Sequence, residues 1–275
     1  MLTHSFIHLP GIGTKTEAKL WQAGVHSWDQ WQATPPLRLP NSSLPELNRL
    51  LQCSIEELDK GPSFFSNRLP ANEQWRIFSH FRERTAYLDI ETTGLGPQAE
   101  ITTIALYDGR EIRCYINGYN LDDFARDIWD YEILVTYNGK SFDIPAIERW
   151  FHIKITQAHI DLRFILAKLG FKGGLKGCEK QLGITRGALD GVDGSFAVLL
   201  WHDYINNNNE KALETLLSYN IEDTVNLERL LVEVYNRNVL QTPFGEDLRL
   251  PHPVSPLIPY RPDFNSVQRI KRGLR

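Results

Sequence analysis

Residues Thr85 to Leu95 read Thr-Ala-Tyr-Leu-Asp-Ile-Glu-Thr-Thr-Gly-Leu. The stretch starts as a β-prone apolar run and ends in a threonine-glycine turn. Two carboxylates, Asp89 and Glu91, interrupt it two residues apart. In a strand, residues i and i+2 share a face, so both charges project from one side of a segment that is otherwise fit for burial. A buried carboxylate without compensation is costly. A neighbouring cation, protonation of one partner or a bound divalent ion removes the conflict, and a solvent-facing edge strand avoids it. Two hard oxygen ligands side by side on a rigid strand suit Mg²⁺ or Mn²⁺.

The chain around this stretch is long enough, at 275 residues, for one large domain or two smaller ones. Its net charge of −4 excludes a bulk polycation, so any nucleic-acid surface must be a local patch. Cys53, Cys114 and Cys178 are odd in number, far apart and form no CxxC pair, which argues against a disulfide framework or a zinc site and fits a reducing compartment. No apolar run approaches the roughly 18 residues that cross a bilayer, and no basic-then-apolar leader opens the chain. A cytoplasmic protein that makes no membrane contact is the expectation.

Residues 1–70 read as a small helical region. Leu9-Pro-Gly-Ile-Gly13 is a tight turn, Thr14-Lys-Thr-Glu17 has the form of a capping box, and the helix it opens should reach about Gln22. Ser27-Trp-Asp-Gln30 and Ser54-Ile-Glu-Glu57 have the same capping form. The Pro-Gly-Ile-Gly turn resembles the hairpin of a helix-hairpin-helix motif, which makes Gly11 and Gly13 candidates for holding a nucleic-acid phosphate on backbone N–H groups. A glycine-rich helix start without a ligand reads equally well. Trp21, Trp28 and Trp31 read as core of this region rather than as base-stacking platforms. Residues 34–47 and 61–72 are expected loops, the second a linker, with a helix over 74–84 leading onward.

From Thr85 the pattern changes. Ile101–Tyr107 and Glu111–Ile116 are β-rich runs separated by Asp108-Gly-Arg110, a hairpin signal. With the Asp89 strand they make three consecutive strands, expected as antiparallel neighbours. A helix over 121–129, a buried strand over 133–137, a helix over 144–151 and a strand over 158–162 follow. Helices then run to about Arg237, broken near residues 170–174, 183–194 and 206–209. The pattern predicts an α/β fold, a mixed β-sheet flanked by helices and preceded by the small α-helical region. The division is 1–70 helical region, 71–240 α/β domain and 241–275 irregular, basic, proline-rich tail.

Two further segments carry candidate chemistry. Asp143, in Tyr137-Asn-Gly-Lys-Ser-Phe-Asp143-Ile-Pro, follows the buried fourth strand and opens a helix; a plain N-cap role reads as well. Tyr219 and Asp223, in Tyr-Asn-Ile-Glu-Asp, lie four apart on one face of a long helix, where a solvated aspartate beside a half-buried tyrosine is also common.

The ordered set Asp-x-Glu, then Asn-x-x-x-Phe-Asp, then Tyr-x-x-x-Asp resembles the DEDD exonucleases, the DnaQ-like branch of the ribonuclease H-like superfamily, over about residues 85–237. Leu175-Lys-Gly-Cys-Glu-Lys-Gln-Leu-Gly-Ile-Thr-Arg186, with Gly191-Val-Asp-Gly-Ser-Phe196, is similar to the YprB-like group. The resemblance implies a ribonuclease H-like fold and a metal-dependent 3′–5′ exonuclease. Asp89, Glu91, Asp143 and Asp223 would hold two Mg²⁺ or Mn²⁺ ions. Asp89 would bridge them, Glu91 and Asp223 would serve the ion beside the attacking water, and Asp143 the second ion. Tyr219 at i−4 from Asp223 matches the tyrosine subclass. A phenol with an ordinary pKa near 10 is a poor base at neutral pH, so its expected role is to orient the attacking water.

The substrate expected is DNA or RNA, single-stranded or at 3′ ends, and the expected partner is a helicase or other repair protein. Arg163, Lys168, Lys172, Lys176, Lys180 and Arg186 face only Glu179 between residues 163 and 186, a candidate phosphate-contact patch or a solvated helix face. Arg261, Arg269, Lys271, Arg272 and Arg275 form a second basic group. His159 and Asp161 read as structural. Two rivals stand: a nucleic-acid-binding scaffold without catalysis, and a ribonuclease H-like endonuclease or junction resolvase.

Overall fold

The structure is a computed structural model, and it describes residues 1–32, 35–37, 39, 43–189 and 192–273. Part of the loop expected over 34–47, together with Gly191 and Arg275, lies outside the described residues.

Five strands form one mixed sheet: β1 (Thr85–Thr92), β2 (Ile101–Tyr107), β3 (Ile112–Ile116), β4 (Ile133–Thr136) and β5 (Ala158–Asp161), in the order β3-β2-β1-β4-β5. β1, β2 and β3 form an antiparallel meander, and β4 and β5 continue it in parallel from the other edge of β1. The Asp108-Gly-Arg turn closes β2 onto β3. Gly109 takes φ +89°, and the Asp108 carboxylate accepts from the Arg110 and Glu111 amides at 2.9 and 2.8 Å.

Alternation along the strands divides the core. Ala86, Leu88, Ile90, Ile104, Leu106 and Leu134 pack on one face against Phe124, Ile128, Ala146 and Ile147. These come from α5 (Phe124–Asp127) with its flanking 3₁₀ turns and from α6 (Asp143–Phe151). Tyr87, Ala105, Tyr107, Ile133, Val135 and Ile160 point the other way, against the long helix α10 (Glu210–Val239). Asp89 and Glu91 belong to this second face, so β1 aims both carboxylates toward α10.

The helical region that precedes the sheet contains α1 (Thr14–Gln22), α2 (Leu44–Glu57), α3 (Ser63–Ser66) and α4 (Trp75–Phe81). Its apolar residues join the α10 side of the sheet in one continuous cluster. Trp21 and Trp28 are buried there and donate to the His4 and Ser5 carbonyls at 3.0 and 2.7 Å. Arg76 is a buried hub, with ion pairs of 2.9 Å to both Glu17 and Glu73; Glu73 in turn meets Lys168.

Three capping expectations change here. Gly13, not Thr14, precedes α1, and Glu17 turns inward to accept from the Phe6 amide (2.7 Å) and Ser5 hydroxyl (3.1 Å) instead of reaching back to cap. Ser27 precedes only a 3₁₀ turn and makes no side-chain cap. Ser54 lies inside α2, where its hydroxyl bonds the Leu50 carbonyl and His8. Apolar burial of Leu47, Leu50 and Leu51 extends this helix N-terminally through a stretch whose prolines and serines suggested a loop.

Beyond the sheet come α7 (Leu162–Lys168), α8 (Gly174–Gln181), α9 (Gly194–Asn207), α10 and α11 (Phe264–Gly273). The tail is therefore not irregular throughout: after an extended proline-rich passage it ends in α11, which buries Val267 against the α9–α10 cluster. Among the described residues no helix is long and apolar enough to cross a membrane.

Candidate active site

β1 and α10 build the centre of the site. Oxygens of Asp89, Glu91 and Asp223 all lie within 4.8 Å of one another. The β1–β2 register breaks between Glu91 and Thr92, a bulge that bends the strand where its carboxylates emerge. Asp223 comes from α10, one turn after Tyr219. Together these side chains line a cleft of ≈ 950 Å³, whose walls also carry Leu95, Asn138, Phe142, Asp143, Arg163, Lys176 and Ser195.

Asp143 reaches the same cleft from the opposite side of β1. It is the first residue of α6 rather than its N-cap, which is Phe142. β1 pairs with β4 only as far as Tyr87, so the amide of Ile90 has no β4 partner. The Asp143 Oδ1 accepts from that amide at 3.2 Å, between the two β1 carboxylates in sequence. The loop before it is held by Asp161, which accepts from the Asn138 and Lys140 amides at 2.8 and 3.1 Å and also caps α7 through the Arg163 amide. His159 bonds the Thr136 hydroxyl at 2.8 Å. Both are structural partners of the loop.

The electrostatics are those of crowded carboxylates. Burial first, then the neighbouring Asp223, Glu91 and Asp143, push the Asp89 carboxyl well above the usual range. Burial and Asp223 do the same to Glu91. Burial pushes Asp143 up to about 7 against the opposing effect of its backbone hydrogen bonds. No ion pair reaches these three among the described residues; the nearby cations converge on Asp223. Lys176 Nζ lies 2.6 and 2.7 Å from its two oxygens, and Arg186 Nη1 also bonds it. Burial and the surrounding carboxylates hold the Tyr219 phenol far above its ordinary pKa, so it remains protonated.

The basic group expected along 163–186 is not one surface. Arg186 is buried, and its guanidinium grips Glu179 at 2.6 and 2.5 Å while holding Asp223, so it faces inward and not toward solvent. Glu179, the lone acid of that segment, is its buried counter-ion. Lys168 is tied to Glu73 and Lys176 to Asp223, while Arg163, Lys172 and Lys180 remain exposed. Arg163 donates to the Asn138 side chain at the cleft wall. Gly11 and Gly13 lie away from the carboxylates, in a separate groove with His8, Arg49 and Arg68.

Asn220 is a residue the motif reading passed over. Its side-chain amide donates to Asp89 Oδ2 at 2.7 Å and to the Asp89 carbonyl at 3.1 Å, and its oxygen accepts from the Thr103 hydroxyl at 3.0 Å. A polar residue beside Tyr219 on the β1-facing side of α10 was the available signal.

A family described as the RNase_H superfamily matches residues 86–235, more than half of the chain. The chain therefore belongs to the RNase H superfamily. Among solved structures it is similar to the family B DNA polymerase from the hyperthermophilic archaeon Pyrobaculum calidifontis, at 14% identity and a TM-score of 0.43, over 61% of this chain and 27% of that one. The chain thus spans about a quarter of that polymerase's length. No curated protein matches it.

Proposed function

We propose that the protein is a divalent-metal-dependent 3′–5′ exonuclease of the DEDD type, in the tyrosine subclass and YprB-like group, acting on single-stranded nucleic acid or 3′ ends. The observation that carries this reading is the convergence of Asp89, Glu91 and Asp223 within 4.8 Å at the base of an open cleft, with Asp143 bonded to the same strand. The nuclease unit is residues 71–240, with 1–70 an accessory helical region and 241–275 a tail; Gly11, Gly13, Arg163, Lys172 and Lys180 are proposed strand contacts.

The donor set fits Mg²⁺ or Mn²⁺. Its ligands are hard carboxylate oxygens, three within reach of one ion, and the half-buried Asp89 and buried Glu91 are like groups without an ion-pair partner among the described residues. Two bound ions would supply water of lowered pKa and charge stabilisation at the leaving oxygen. The chain's own groups have distinct tasks. Asp89, Glu91 and Asp223 would hold cations, and Asp143, on the same cleft, would serve the second ion. Asn220 fixes the direction of Asp89. Tyr219, whose phenol burial and the neighbouring carboxylates hold above its ordinary pKa, donates a hydrogen bond that orients the attacking water and takes no proton.

End-labelled single-stranded oligonucleotides tested with and without Mn²⁺ check this reading. Mononucleotide release from 3′ ends that vanishes in Asp89→Asn, with the fold retained by circular dichroism, is the expected result. Internal cuts would indicate the endonuclease instead. Metal-independent binding without products would indicate a scaffold.

A further inference from the structure

Lys176 and Arg186 both meet Asp223, yet they are held very differently. Arg186 has a side-chain exposure of 4% and is locked by two bonds to the equally buried Glu179. Lys176 is 33% exposed and reaches Asp223 from α8 on a flexible four-carbon stem, with its ammonium 4.1 Å from the centre of the Tyr219 ring. Gly173 and Gly174, at φ +93° and +70°, open that helix. Arg186 is thus a fixed counter-ion and Lys176 a removable one.

Lys176 also stands where it obstructs the site. Its Nζ engages both Asp223 oxygens, at 2.6 and 2.7 Å. An ammonium and a divalent cation compete for those lone pairs and repel one another at such separations. The cleft whose wall it lines is open to the displaced ammonium. We propose that Lys176 is an exchangeable counter-ion: it holds Asp223 while no divalent ion is bound, yields that carboxylate when one binds, and then takes a phosphate oxygen of the nucleic-acid strand. The inference rests on the nuclease reading above. It makes metal and strand bind with positive coupling, because each gives a favourable outcome to the same displaced charge.

Two measurements on the full chain test it. The first is calorimetric titration of Mn²⁺ into protein without nucleic acid. Lys176→Met removes the competitor while keeping the stem, and should bind Mn²⁺ about fivefold more tightly, the equivalent of one partly exposed ion pair of about 1 kcal/mol. The second is fluorescence anisotropy of a labelled oligothymidylate in Ca²⁺. There Lys176→Met should bind roughly fivefold more weakly, and Lys176→Arg should stay near wild type because it keeps the charge. Unchanged or weaker Mn²⁺ binding in Lys176→Met overturns the exchange, as does an equal oligonucleotide loss in Lys176→Arg. If the wild type binds no Mn²⁺ at all, the metal-site reading itself fails; if it binds Mn²⁺ normally and only the variant effects are absent, that reading stands and Lys176 is merely a neighbour.

Discussion

Asn220 fixes where one Asp89 oxygen points, much as Arg186 holds one oxygen of Asp223. Ligand-orienting partners of this kind typically contribute 10- to 100-fold in metal affinity. Asn220→Ala should therefore weaken Mn²⁺ binding by about that factor in a calorimetric titration, with circular dichroism unchanged. Tyr219→Phe removes one hydrogen bond and no charge, so cleavage should slow by on the order of 10² to 10³ without stopping. The rise of kcat with pH should persist in that variant, since the buried phenol does not ionise.

The carboxylates also set a stability trend. Asp143 has a folded pKa of about 7, above its ordinary 3.8, so the folded state holds its proton more tightly than the unfolded chain does. Stability then falls as pH rises from about 4 to 7, because the native state binds more protons in that window. Asp89 and Glu91 are raised too, and add to the fall in the same direction. Burial holds the His8 and His159 imidazoles at about 3, which opposes this fall below about pH 6.5, so the test is the difference: in a chelator, the melting temperature of Asp143→Asn should fall less from pH 5 to pH 8 than that of the wild type. Saturating Mn²⁺ should raise the pH 8 value selectively.

At the scale of elements, the site is an agreement between β1, α10 and the loop from Tyr137 to Phe142. The loop has the tightest tolerance. A Cβ on Gly139 would stand 2.2 Å from the Thr136 hydroxyl, which itself accepts from the Gly139 amide. Gly139→Ala should therefore shift the loop that delivers Asp143, lowering both the melting temperature and the activity. Strand and helix period carried most of this architecture in the sequence. β1 to β5 and α6 to α10 fall close to where alternation, the Asp-Gly turn and the glycine breaks put them. What stayed hidden was long-range pairing between charges. Arg186 and Glu179 lie in a segment whose composition is that of a solvated basic face, and only the fold brings Asp223 against them. Glu17 misled for the same reason: its position three residues into a helix suits a local cap, but Arg76, 59 residues away, outcompetes that bond. Local rules describe what a residue can do with its neighbours in the chain, and buried ion pairs are decided by neighbours in space.

For the molecule as a whole, the helical region and the sheet share their apolar interior. Phe78 and Trp75 pack edge-on against Tyr235 of α10, and Phe244 stands against His4, Trp21 and His26. Arg76 lies within this seam, neutralising Glu17 and Glu73 at once. Arg76→Ala would leave the buried Glu17 without an ion-pair partner and Glu73 held by Lys168 alone, and should cost about 3–5 kcal/mol in denaturant unfolding. The unfolding curve of the wild type should be a single transition, with fluorescence and circular dichroism superimposing.

That seam has a consequence for anyone wishing to shorten the chain. A chain begun at residue 71 would present Trp75, Ile77, Phe78 and the α10 surface around Tyr235 as a raw hydrophobic flank. Such a flank invites self-association, so a minimal version would have to be resurfaced along α4 and α10 before it could be handled in solution.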